Sequence, residues 1–391
     1  MARRSSLPLF VAAFALFAAS CSGDDTTIGS PQASPDGSTD DSLVGDSVPA
    51  SLDVHAGEPF PAERCELNRD AGTITYLSGF DFTASASIVD VLVAEEKGYY
   101  EDLCLDVDLR ASFSTDNYPL IAANDAQFAS GGSFSEIVDF AGANDAGFVA
   151  LSVEGRTGID ALITKDGEVA TLDDVRGKKI GVKGAITPSV RAMLAQAGLV
   201  LDVDYETVLL ECCDPLVHIQ VPDIIGFPGY KSNEPGQLTT NGVPFKLYDP
   251  SEFDIPGSFG VLYSNLTFLQ EHPTAAQDFM RATMRGLADA IADPAAAAQI
   301  AVDAINANGN AIFLTPEGEV ARWAVESQLV AAGATPDAPL GMPLIDELTH
   351  EVTVYAEIGL FGGEVPIIDT LVDVSLLEGV YANDGSIIWP G

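Results

Sequence analysis

Short apolar runs bounded by Gly or Pro alternate along this chain with longer stretches whose apolar positions recur at helical spacing. "GTITYLSGF" (72–80) reads as a strand ending at Gly79. "TASASIVDVLVAEEKGYY" (83–100) sets Ile88, Val91, Leu92 and Val93 on a helix, with Ser and Thr placed to cap its front and Gly98 to end it. "LDVDLRASF" is the next strand, and "YPLIAANDAQFASGGSFSEIVDFAGAND" gives helix, strand, Gly-Gly turn and helix. "AGFVALSVEG" and "IDALITK" are strands. A second block of the same kind opens at residue 171. There "LDDVRGKKIGV" is a short helix, a turn and a strand, and "GAITPSV" starts a helix with Pro188 in its first turn. "DYETVLL" is a strand, and "PDIIGFPGYKSNEPGQL" is a strand running into a Gly/Pro loop. "PFKLYDP" and "SFGVLYSN" return as strands. Beyond them the pattern is helical, from "EHPTAAQDFMRATMRGLADAIADPAAAAQIAVDAI" through "EVARWAVESQLVAAG" to a last amphipathic helix in "IDTLVDVSLLEGV". Strands alternating with helices predict an α/β fold with mostly parallel, three-layer sheets.

The front end follows a different pattern. Arg3 and Arg4 precede an apolar run from Leu7 to Ala19, about thirteen residues, where a bilayer span needs ~20. Residues 1–20 therefore read as a processing signal. Ala18-Ala19-Ser20 before Cys21 resembles the lipobox of bacterial lipoproteins, with Ala18 where Leu is usual, and that resemblance makes Cys21 the lipidated residue. Residues 21–69 begin with a Ser-, Asp-, Gly- and Pro-rich stretch too poor in large apolar side chains to order itself, and are expected to form a disordered tether. No other apolar run is long enough to span, so the protein is expected to be anchored at the outer face of the cell membrane, not integral to it.

About 320 residues remain, enough for two lobes. The formal net charge is −40, from 58 acidic against 18 basic residues. Nucleic-acid binding needs clustered Lys and Arg and is excluded on that balance. With Cys21 assigned to lipid, Cys65, Cys104, Cys212 and Cys213 remain, an even number outside the cytoplasm. Cys65 with Cys104 is the favoured pair because both fall near strands of the first lobe. Cys212 and Cys213 could form a vicinal disulfide or stay as thiols. His55, His218, His272 and His350 stand alone, without metal-ligand spacing, so no metal or other cofactor is expected.

"VAEEKGYYEDLCLDVDL" resembles the A-x-x-K-G-Y-[FY]-x-x-x-G-L-x-V signature of type II substrate-binding proteins of ABC importers, in the alkanesulfonate-, nitrate- and thiamine-pyrimidine-binding branch. "QFASGGSFSEIV", "LDDVRGKKIGV", "NEPGQLTTNG" and "EHPTAAQDFMRATMRGLADAIADPAAAA" follow in the family's order, covering almost all of residues 70–380. Cys104 stands where the family usually has Gly. The resemblance implies a two-lobed periplasmic-binding-protein type II fold with extra C-terminal helices. Residues 70–156 and 259–391 would form lobe 1 and residues 157–258 lobe 2, with crossings near Glu154–Gly158 and Pro256–Phe259. It also implies a monomer that captures a small molecule, closes like a hinge and docks on an ABC permease. Tyr99 and Tyr100 are expected to pack structurally, and Arg156 to lie at the surface.

Ligands of such folds lie beyond the C-terminal strand ends, facing helix N-termini. Four loops meet that description: Phe80, Asp81, Phe82 and Thr83; Ser133, Phe134, Ser135 and Glu136; Gly184 and Thr187; and Phe227, Tyr230, Asn233 and Glu234. A sulfonate or nitrate site wants helix N-termini, hydroxyls and a cation. A planar heterocycle wants aromatic faces with a carboxylate or amide to read ring nitrogens. These loops hold four Phe, one Tyr and two Glu, which favours a neutral or weakly basic heterocycle such as a thiamine pyrimidine precursor or a flavin, over a sulfonate or nitrate. A ligand-sensing lipoprotein and an enzyme are the other classes. A pyrimidine-synthesising branch of the same superfamily uses a sacrificial His, a Lys and a Cys-rich motif. "ECCDP" echoes that motif, but "FDFTASASIVDVLVAEEKG" holds no His. The chain is expected to be no enzyme.

Overall fold

In the computed structural model, which describes residues 48–211, 214–308 and 314–391, the apolar runs become strands β1 (Thr73–Leu77), β2 (Asp106–Arg110), β3 (Phe128–Gly131), β4 (Phe148–Gly155), β5 (Asp160–Lys165), β6 (Lys179–Val182), β7 (Glu206–Leu209), β8 (Gly226–Tyr230), β9 (Phe245–Tyr248) and β10 (Phe259–Asn265). They form two five-stranded sheets, ordered β2-β1-β3-β10-β4 and β7-β6-β8-β5-β9. The two orders are equivalent. In each sheet the strand that enters from the other lobe, β10 or β5, lies second from one edge and runs antiparallel to both neighbours. The sheets are therefore mixed, with three parallel strands at one side. A parallel ladder needs a helical crossover, whereas a strand arriving by a short linker can enter antiparallel.

Every residue of β4 and β10 is buried, as expected of strands covered on both faces. Val149 and Leu151 face one core with Ile74, Tyr76 and Phe128, while Phe148 and Ala150 face the other with Leu77, Ala129 and Tyr263. Helix Pro273–Ala292 closes the first of these cores. Its Phe279 stacks on Phe128 at 3.9 Å and on Tyr100 at 5.1 Å, and Tyr100 Oη pairs with Thr283 Oγ1 at 2.7 Å. The Lys97-Gly98-Tyr99-Tyr100 turn thus docks one helix on another. Gly98 takes the left-handed conformation, φ 71°, that lets the helix stop there.

Several expectations change. The helix predicted over 83–100 begins only at Val89, with Ile88 at the cap position and no Ser or Thr capping bond. The preceding amides are held elsewhere: Ala84 N donates to Glu319 Oε2 (2.7 Å) and Ala86 N to Glu326 Oε2 (2.8 Å). The Gly/Pro loop after β8 contains a helix, Glu234–Thr240. In the tail only Ser375–Glu378 is α-helical, because Ala150 N donates to Leu371 O and Asp373 N to Ala150 O, drawing the preceding residues along β4. A helix without a sequence prediction, Ile345–Glu357, packs Leu348, Val352 and Tyr355 inward.

The disordered tether expected through residue 69 gives way to a helix at Ala62–Asp70. Arg64, fully buried, donates to Asp278 Oδ2 (2.6 Å) and Oδ1 (2.9 Å), and Asn68 donates to Asp278 Oδ2 (2.8 Å). A buried polar cluster is what orders this apolar-poor segment. Cys65 and Cys104 form a disulfide that ties the same helix to the turn before β2. Cys104 has φ 61°, the backbone region in which Gly is the usual occupant. The signal segment, Cys21, Cys212 and Cys213 lie outside the described residues. Among the described residues no helix is long and apolar enough to cross a membrane.

Candidate functional site

The C-terminal ends of β1 and β3 meet at the cleft between the sheets. Gly79 is required there, since a Cβ at that position would lie 2.8 Å from Ser130 Oγ and 2.9 Å from Ser130 O. This close approach turns Phe80 out of the sheet, 37% exposed, edge-on to Phe113 at 5.5 Å. Asp81 and Thr83 hold the turn: Phe82 N donates to Asp81 Oδ1 (2.7 Å), and Thr83 Oγ1 donates to Phe80 O (3.0 Å). Phe82 goes into the core, not the cleft.

After β3, Ser133 and Glu136 form a reciprocal capping box at the start of helix Phe134–Asn144. Phe134 and Ser135 are fully buried, Ser135 N donating to Glu351 Oε1 (3.1 Å), so neither faces a ligand. Glu136 does face the cleft. A side chain at Gly132 would strike its carboxylate and lie 3.6 Å from the Tyr230 hydroxyl.

From the second sheet, Tyr230 at the end of β8 reaches the cleft, 37% exposed. Phe227, three residues earlier, is buried against His218 at 5.4 Å and does not reach it. Glu234, 2% exposed, accepts from Tyr230 N (2.8 Å) and pairs with Lys183 Nζ (2.6 Å). Asn233 accepts from Gln237 Nε2 (2.9 Å) and from Arg322 Nη2 (3.1 Å). Gly184 is exposed on the loop before helix Pro188–Gln196. Thr187, at that helix's cap position, makes no side-chain capping bond, and its buried hydroxyl has no protein partner.

A cavity of about 70 Å³ lies between these walls, bounded by Phe80, Ser85, Ser114, Ser130, Tyr230 and Glu326 among others. Ser85, Ser114, Ser130 and Glu326 were not predicted from sequence. Nor was Asp160 at the start of β5, a charged residue opening an otherwise apolar strand. Burial, then Glu136 and Glu234, push the Asp160 carboxyl up to about 7 against the opposing pull of Lys183 and Ser189. Burial also raises Glu136 and Glu326 above the usual carboxylate range. The Tyr230 phenol is pushed well up by burial and by Asp160, Glu136, Glu234 and Glu326. The cleft therefore offers aromatic faces, hydroxyls and a ring of carboxylates around Tyr230, and the cations beside it are already paired, Lys183 with Glu234 and Arg322 with Glu319. Among the described residues no His, Cys, Asp and Glu group is arranged to hold a metal ion.

Two sheets of equivalent order, exchanging one strand each across a lined cleft, define a periplasmic-binding-protein type II fold. The chain belongs to the NMT1/THI5 like family, whose model matches residues 85–297, just over half of its length. The riboflavin-binding protein RibY of Chloroflexus aurantiacus is 31% identical over 130 residues, covering 32% of this chain and 36% of that protein. The alignment thus spans about a third of that relative. Among solved structures, the ligand-binding component of an ABC-type import system from Staphylococcus aureus has a TM-score of 0.57 at 12% identity, covering 78% of this chain and 98% of that one. The alkanesulfonate-binding protein SsuA from Xanthomonas axonopodis pv. citri has a TM-score of 0.54 at 12% identity, covering 82% and 98%. These two likenesses concern the fold.

Proposed function

We propose that this chain is an extracytoplasmic solute-binding lipoprotein, anchored through Cys21, that captures a small aromatic heterocycle and delivers it to an ABC permease. It acts as a monomer without catalysis. The lobes, 70–156 with 259–391 and 157–258, close on the ligand about the crossings between β4 and β5 and between β9 and β10. One observation carries the choice of ligand: the cavity sets aromatic Phe80 and Tyr230 beside Glu326, with Asp160, Glu136 and Glu234 close to Tyr230, while Lys183 is neutralised by Glu234. Stacking faces and acceptors suit a flavin or an aminopyrimidine, whose ring N–H groups and basic nitrogens a carboxylate can read. A sulfonate or nitrate would enter a field of like charge with no unpaired cation provided by those loops. The partial likeness to a riboflavin-binding protein points the same way. A cavity of about 70 Å³ is smaller than such a ring system needs, so entry requires the lobes to part.

A thermal-shift screen of the purified protein tests this. Riboflavin or a thiamine-type aminopyrimidine at about 100 times its Kd is expected to stabilise by roughly 2.7 kcal/mol by mass action. Alkanesulfonates and nitrate are expected to leave the midpoint in place. Phe80→Ala and Tyr230→Ala should abolish most of the shift while changing the ligand-free stability by less than ~1 kcal/mol, since both side chains are partly exposed. A shift with sulfonates alone would overturn the choice of ligand.

A further inference from the structure

Helix Pro316–Ala332 belongs to the first lobe: its Trp323 is fully buried there, and Trp323 Nε1 donates to Ala290 O (2.8 Å). Glu319, Arg322 and Glu326 recur at three- and four-residue spacing, so they share one face of this helix, and that face meets the cleft. Glu326, 1% exposed, uses its two oxygens differently. Oε2 accepts from Ser85 Oγ (2.7 Å) and Ala86 N (2.8 Å), both on the loop after β1. Oε1 accepts from Ser232 Oγ (2.7 Å), on the loop after β8 in the second lobe. One turn away, Arg322 reaches the same second-lobe loop through Asn233 Oδ1 (3.1 Å).

We propose that Glu326 is a positioning residue of the binding cycle, the latch that holds the two lobes together. Its carboxylate has one oxygen on each lobe, so its full set of partners exists only in the closed arrangement. Parting the lobes exchanges the Ser232 hydroxyl for water at Oε1, which makes the bond to Ser232 a switchable one. Because Glu326 also borders the cavity, a ligand that seats beneath it engages the same group that sets the closing equilibrium. The inference rests on the reading of this chain as a two-lobed binding protein, and its test needs no ligand.

Small-angle scattering of the ligand-free full chain would compare wild type with Ser232→Ala, Ser232→Ala/Asn233→Ala and Glu326→Gln. A hydrogen bond to a charged group contributes about 1.5–3 kcal/mol, so Ser232→Ala should lower the closed-to-open ratio about tenfold or more. The double variant, which also removes the Arg322 acceptor, should lower it further. Both are expected to show a larger radius of gyration than wild type, with the first-lobe bonds of Glu326 intact. Glu326→Gln keeps an acceptor toward Ala86 and gains a donor toward Ser232 but exchanges a charged bond for a weaker neutral one, so it should open less than Ser232→Ala. A double variant as compact as wild type would overturn the latch. A latch that opens on cue, in a protein whose melting point no heterocycle moves, would instead leave the latch standing and remove the choice of ligand.

Discussion

Asp278→Ala is expected to cost about 3–5 kcal/mol of stability, the usual consequence of stripping one partner from a buried ion pair. Asp278, in the second turn of helix Pro273–Ala292, pairs with Arg281 on the same helix and with Arg64 of helix Ala62–Asp70, all at most 1% exposed. It accepts from Arg64 Nε and Nη2, Asn68 Nδ2 and Arg281 Nε, so its loss leaves two guanidinium groups facing each other out of reach of water. Desolvation already pulls Arg281 below the ordinary guanidinium range, with Arg64 adding to the pull and Asp278 opposing it. The same cluster joins three distant parts of the chain. Arg64 also donates to Leu52 O (3.0 Å) near the N-terminal edge of the described residues, and Arg281 to Ile388 O (2.8 Å) and Gly379 O (3.0 Å) in the tail. Urea unfolding should show a lower midpoint with an unchanged slope. Removing Arg64 as well should restore part of the loss, since only Arg281 then lacks its charge partner. A loss under ~1 kcal/mol would show that water reaches the cluster.

Arg64 also marks where reading the chain by pattern stops. Helix Ala62–Asp70 has almost no apolar face, because Arg64 and Asn68 are its buried residues, and a polar residue enters a core only when distant partners complete it. Asp278 is 214 positions away. Where packing is local or periodic, the sequence sufficed. The apolar runs of β1 and β4, the left-handed stop at Gly98 and Pro188 opening its helix all depend on neighbours within a few residues. Helix Ile345–Glu357 carried a usable signal in Leu348, Val352 and Tyr355, interrupted by the buried Glu351. The cleft divides in the same way. Phe80 and Tyr230 were legible because each lies at or just past the end of a strand. Phe82, Phe134 and Phe227, equally aromatic in the same segments, belong to the cores, and only the three-dimensional path distinguishes them. Glu326 meets Ser85 across 241 positions, a contact no local pattern announces.

Stability should fall as pH rises from about 4 to about 7, and Asp160→Asn should remove part of that fall. The sign follows from where the protons sit. In the folded chain the Asp160 carboxyl holds its proton up to about 7, against 3.8 ordinarily, because burial and then Glu136 and Glu234 disfavour its charge more than Lys183 and Ser189 favour it. Between those two values the folded state keeps a proton that the unfolded chain releases. The stabilisation is thus complete below the lower value and is lost as pH rises through the upper one. From pH 5 to pH 8 this amounts to about 2–3 kcal/mol at 1.36 kcal/mol per unit. Asp90 and Glu154, a buried pair in the first lobe both raised by desolvation, act in the same direction, and so does the self-repulsion of a chain with net charge −40. Only the Asp160 share should vanish in Asp160→Asn, read as a flatter midpoint-against-pH curve, whereas a curve parallel to wild type would mean that Asp160 ionises freely. The same proton discriminates between ligands. A cationic aminopyrimidine seated among Glu136, Asp160 and Glu234 should displace it, so that calorimetric binding heats at pH 6.5 differ between buffers of different ionisation enthalpy. A neutral flavin should leave the proton in place, and its binding heats should coincide.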